Sequence, residues 1–146
     1  MRRVQILGAL VLASFVIAAP ARAETIQVKM TFAEPHRQEC SVDGPCGDGQ
    51  VVPLGHATET VEFGAGCGGT CDLRTITLDG GTIVADETIS DFQTNGENGG
   101  GTAKLEDVIV GGTGDFEGAT GTLTGALRFA GQQDTVKLSG SISFGS

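Results

Sequence analysis

Trp and Tyr are absent from the chain, His occurs twice, and Lys and Arg together number 9 against 18 Asp and Glu, for a net charge of −9. Each shortage excludes something. With so few basic residues the surface repels phosphate backbones and anionic lipid faces, so nucleic acid is not an expected partner. Two histidines in loop-like or strand-edge settings, His36 and His56, do not make a nucleophile–base–orienter arrangement, which needs a base held by a third group. No second histidine shares a strand face with either one, so neither is read as a metal ligand. Apolar residues recur at helical spacing nowhere after residue 23, which leaves almost no helix to expect. No apolar run after residue 19 is long enough to cross a bilayer.

What is present begins with export. Met1-Arg2-Arg3 gives a positive start, residues 6–19 form an uncharged apolar run, and Ala21-Arg22-Ala23 is a small-x-small cleavage pattern. Together they predict a signal peptide over residues 1–23. The run is shorter than the roughly 20 residues that span a membrane, so an anchor is the weaker reading. Cleavage would leave 6 basic residues against 18 acidic ones, a charge of −12 on residues 24–146. That length suits one domain with a single core, and the expected location is secreted or periplasmic.

All four cysteines, Cys40, Cys46, Cys67 and Cys71, follow the predicted cut. An even number in an oxidising compartment predicts two disulfides. Three connectivities are possible; Cys40 with Cys46 and Cys67 with Cys71 is preferred, each closing a short Gly-rich loop. The competing zinc site is disfavoured because the x5 and x3 spacings are not the usual knuckles.

Alternation of apolar and polar residues marks strands over Thr25–Phe32, His56–Phe63, Leu73–Ile89 as a hairpin, Thr102–Val110, Thr122–Phe129 and Thr135–Phe144. Gly and Pro break residues 33–55 into an expected loop, and residues 91–101 read as a polar, mobile one. A face switch is expected near Glu106-Asp107. Six to eight strands without covering helices must bury their apolar stripes against themselves, which predicts an all-β fold. Gly125 and Gly140, in phase with inward rows, favour a closed antiparallel β-barrel over a sandwich.

Within the hairpin, a two-residue loop at Gly80-Gly81 would set Arg74 directly opposite Glu87, with Ile76 facing Ala85 and Leu78 facing Ile83. A loop at Asp79-Gly80 would set Arg74 against Ala85 instead. The first register is preferred because it joins opposite charges. Arg74 and Glu87, on the apolar side, are the candidate polar handle for a ligand; as a mere rim salt bridge they would contribute at most about 1 kcal/mol.

The most distinctive segment is Gly111-Gly112-Thr113-Gly114-Asp115-Phe116-Glu117-Gly118-Ala119-Thr120-Gly121. It is a strand end, a Gly-rich turn, an aromatic plug and a second turn. One imperfect copy does not make a calcium-binding repeat, since the acidic residue falls one place early. Residues 64–69 lack the Lys-Ser/Thr of a phosphate loop. The segment, with the strands after it, resembles the allene oxide cyclase barrel-like family and its dirigent relatives. That resemblance implies an eight-stranded barrel with a central cavity and Phe116 at the cavity or capping it; it transfers no catalytic residue. Residue types and resemblance together lead to the expectation of an exported barrel holding a small apolar molecule through Arg74, Glu87 and Phe116. The alternative is a cyclase- or isomerase-like enzyme on a lipid-derived substrate. No cofactor, metal or catalytic residue is assigned, and the sequence does not set the oligomeric state.

Overall fold

The computed structural model describes residues 23–95 and 99–145. The expected export segment lies outside the described residues but for Ala23. Eight strands follow one another, β1 (Glu24–Pro35), β2 (Cys46–Val52), β3 (Gly55–Gly66), β4 (Cys71–Leu78), β5 (Gly81–Thr94), β6 (Gly101–Gly114), β7 (Thr120–Ala130) and β8 (Gln133–Phe144). Each pairs antiparallel with the next and β8 returns to β1, closing the barrel. No helix occurs among the described residues, and none is long and apolar enough to cross a membrane.

Period-two alternation builds this barrel because successive side chains of a strand point to opposite faces. In β1, Val28, Met30 and Phe32 are buried while Gln27, Lys29 and Thr31 are not. β8 repeats the pattern with Val136, Leu138 and Ile142 inside. At Gly125 and Gly140 an added Cβ would lie 1.8 Å from the Lys137 carbonyl oxygen and 2.1 Å from that of Thr122, respectively. Only glycine lets the curved wall close there.

Several expectations are corrected. The segment expected as a loop contains β2, whose glycines mark close strand approach rather than a turn. A Cβ on Gly47 would meet the Ala33 carbonyl oxygen at 2.2 Å, and one on Gly49 that of Thr31 at 2.0 Å. The hairpin takes the other register. Leu78 pairs with Gly81, Ile76 with Ile83 and Arg74 with Ala85, so the loop is Asp79-Gly80 and Glu87 faces Asp72. Gly81 is held in the sheet because it lies against β6, where an added Cβ would stand 2.0 Å from the Thr113 carbonyl oxygen. A two-residue slip keeps every side chain on its face. Arg74 and Glu87 therefore both still point inward, one step apart diagonally.

The polar loop begins later than expected, since β5 runs through Thr94 past a shift in pairing between Ser90 and Gln93; residues 96–98 of that loop lie outside the described residues. β6 does not switch faces at Glu106-Asp107. Ala103, Leu105, Asp107 and Ile109 are buried in one unbroken row. Phe63 leaves the inward row and is 56% exposed, where pairing with β4 shifts between Glu62 and Gly66.

A buried charge cluster at one mouth of the barrel

In an up-and-down barrel the connections alternate between ends. The turns β2–β3, β4–β5 and β6–β7 gather at one end, where Phe116, 5% exposed, packs edge-to-face on Phe144 at a centroid distance of 5.4 Å. Behind it Leu78, Ile83, Ile109, Leu123 and Ile142 belong to one continuous apolar cluster. Phe116 is thus a plug, in a different place from the charged candidates.

Toward the other end the inward rows carry charge. Arg74 on β4 is 1% exposed. Its guanidinium donates to the Glu59 carboxylate through Nη1 and to Glu87 Oε2 through Nη2. Nε also donates to Glu87 Oε2 at 2.9 Å and lies 3.1 Å from Asp107 Oδ2. Glu59, Glu87 and Asp107 are themselves buried, as is Glu34 on β1. The pair is therefore no exposed rim bridge. It belongs to a desolvated cluster drawn from β1, β3, β4, β5 and β6.

The cluster holds four carboxyls to one guanidinium. Glu87 and Asp107 are direct cross-strand partners, a placement unfavourable for two like charges. Gly47, paired with Glu59, has no side chain to separate Glu59 from Glu34; an added Cβ would lie 3.2 Å from Glu34 Cγ. Glu34 lies beside Glu59 and Asp107 beside Glu87, and Glu34 Oε1, Glu59 Oε1 and both Asp107 carboxylate oxygens have no hydrogen-bond partner. Carboxyls this close to one another are disfavoured from all being ionised. Burial adds to this: it pushes Glu59 up to about 8 against the opposing pull of Arg74, and Asp107 up to about 7. Glu34 is raised too, again by burial. Burial disfavours the Arg74 charge, but Glu59, Glu87 and Asp107 outweigh it and hold the guanidinium above its ordinary value.

Over this cluster lies a cavity of about 360 Å³. Arg74, Glu87, Glu34, Asp72 and Asp134 contribute its polar lining, and Val61, Phe63, Ile89, Phe92, Leu105, Leu127 and Val136 its apolar walls. An adjoining cleft of about 420 Å³ shares Glu34, Pro45, Phe63 and Asp134 and reaches Cys40. His36 Nε2 lies 2.7 Å from Asp134 Oδ1 at this rim, and that hydrogen bond raises the His36 pKa. His56 is exposed, 3.8 Å from Asp48.

Both disulfides form as preferred, Cys40 to Cys46 and Cys67 to Cys71. Among the described residues the one convergence of three metal-ligating atom types is Cys67, Cys71 and Asp86, and its sulfurs are already bonded to each other.

Sequence reasoning placed Arg74 and Glu87 inward and read Asp107 as part of a face switch, but passed over Glu34 and Glu59. The signal was phase: Glu34 follows Val28, Met30 and Phe32 at even numbers, and Glu59 stands between Ala57 and Val61. No family model, curated protein or solved structure matches the chain.

Proposed function

We propose that this is an exported small-molecule-binding barrel, related to the allene oxide cyclase barrel-like family, whose ligand sits at the charged mouth rather than along the whole interior. The observation that carries the reading is the 360 Å³ cavity walled by Phe63, Phe92 and Leu127 and floored by the buried Arg74–Glu87 pair. Its volume falls in the range of small-molecule sites, about 300–1,000 Å³, and apolar walls with few convergent polar groups are what such sites use. The inward rows of β7 and β8 that suggested a deeper ligand pack against one another and against Phe32 and Met30. Two disulfides support an oxidising compartment. The closed eight-strand order and the buried Phe116 support the family reading.

A lipid-isomerising enzyme is the second reading, favoured by carboxyls that change protonation near neutral pH, as general acids and bases do. Binding ranks ahead because Glu59 and Asp107 do not border the cavity, so neither touches what would occupy it.

One experiment separates them. The protein is incubated with a lipid extract, repurified and analysed by native mass spectrometry, beside a Leu127→Trp variant that fills the cavity. A retained species lost in the variant is the expected result. A chemically altered species would favour the enzyme, and no retained or altered species would contradict both.

A further inference from the structure

Resting on the reading that the mouth cavity holds a small molecule, we propose that its ligand is an amphiphilic amine. The ammonium group sits between Glu34 and Asp134, and its hydrocarbon lies against Phe63, Phe92 and Leu127.

Glu34 and Asp134 are direct partners across β1 and β8. Both border the cavity, so two acidic groups face each other with Cβ atoms about 5 Å apart, an unfavourable pairing; His36 meets Asp134 from the rim side, and Glu34 has no such partner among the described residues. Glu34 is only 4% exposed, and its Oε1 has no hydrogen-bond partner. Buried carboxylate oxygens without donors are costly. An ammonium brings three donors and a charge.

The charge balance points the same way. Glu34, Asp72, Glu87 and Asp134 border the cavity against Arg74 alone, and Arg74 is already engaged by Glu59, Glu87 and Asp107. A carboxylate ligand would find no free cation there. A hard divalent ion takes about six to eight oxygens, yet among the described residues neither Glu34 nor Asp134 belongs to a group of three mutually close ligating side chains. The apolar wall has no use for a bare ion. Phe63 and Phe92, 56% and 63% exposed, offer apolar surface that a hydrocarbon tail would cover.

The groups around the seat are Glu59 on β3, Arg74 on β4, Glu87 on β5, Asp107 on β6, Asp134 on β8 and His36 just after β1. Burial keeps Glu34 protonated to higher pH than an ordinary carboxyl. The arriving ammonium, itself protonated up to a pH of roughly 10, favours the ionised form of Glu34 and displaces its proton. Binding therefore releases a proton wherever Glu34 still carries one, at higher pH than for an ordinary carboxyl.

Calorimetric titration of the purified protein with octylamine, octanol, octanoate and calcium chloride, in two buffers of different ionisation enthalpy, tests this. Octylamine should bind about tenfold tighter than octanol, octanoate weakest and calcium not at all, with an octylamine enthalpy that depends on the buffer. Glu34→Gln should bring octylamine down to the octanol affinity, remove the buffer dependence and leave octanol unchanged. Asp134→Asn, at a half-exposed rim position, should weaken octylamine in the same sense if Glu34→Gln does not fold. Octanol or octanoate binding as tightly as octylamine would overturn the amine while leaving the binding reading intact. Calcium that blocks octylamine, or octylamine binding unchanged in Leu127→Trp, would overturn it as well. If none of the three chains binds, both readings fall.

Discussion

At the end closed by Phe116, the strands turn Leu78, Ile83, Leu123 and Ile142 inward into one apolar cluster. At the opposite end the same alternation turns Glu34, Glu59, Glu87 and Asp107 inward around Arg74, beneath a cavity. The first end is what a stable barrel needs. The second is not: apolar side chains of similar volume commonly stabilise as well as or better than a buried ion cluster, because desolvating charges offsets their attraction. Among the described residues the fold keeps its buried charge toward one end, beside a cavity that this charge lines, and so separates apolar packing from buried charge along its axis.

That contrast can be broken most forcefully at Arg74. Arg74→Leu leaves Glu59, Glu87 and Asp107 buried without their cation and should destabilise by about 3–5 kcal/mol, measured by denaturant unfolding. Replacing all four groups by Leu should restore stability at least to the wild-type level. A single variant as stable as the wild type would show that the cluster is not the closed network described.

At the sealed end, Leu123→Ala removes a fully buried side chain and should cost about 2–5 kcal/mol. Its cost should not change between pH 5 and pH 9, whereas that of any cluster variant should.

The disulfides sharpen the comparison, since one borders the mouth cleft and the other does not. Removing either by paired Cys→Ser substitution should cost about 2 kcal/mol. Only the loss of Cys40–Cys46 should also weaken binding at the mouth. Equal effects on binding would mean that the cleft is not part of the site.

The last effect is a slope with pH. Glu59 and Asp107 hold protons more tightly when folded, up to about 8 and about 7, than at their ordinary values of 4.5 and 3.8. Between those limits the native state binds more protons than the unfolded one, so this contribution is fully present below pH 4 and is lost as pH rises to 8. The melting temperature should fall over that range, and Glu59→Gln should flatten the fall.

Much of this architecture was legible from alternation. β1, β7 and β8 follow their apolar rows, and the cysteine pairs follow their short spacing. β2 was hidden because Gly47 and Gly49 read as turn residues, when their role is to let β1 come close. The register of the β4–β5 hairpin was misjudged because an opposite-charge pair looked better face to face, although a guanidinium is long enough to reach Glu87 diagonally. Asp107 suggested a face switch because a charge in an apolar row looks like an error in phase. The row was unbroken, and the charge was the feature. Which carboxyls keep protons depends on four other strands, and no single segment displays that.

The proton count of the charged end is open to direct measurement. Carbon-13 NMR titration of the Asp and Glu carboxyls in the folded protein should find Glu59 and Asp107 titrating near 8 and 7, respectively, and the Glu34 midpoint above its ordinary 4.5. If Glu34, Glu59 and Asp107 all titrate in the usual carboxylate range of roughly 3.5–4.5, the charged end is solvated and the two ends of the barrel do not differ as described.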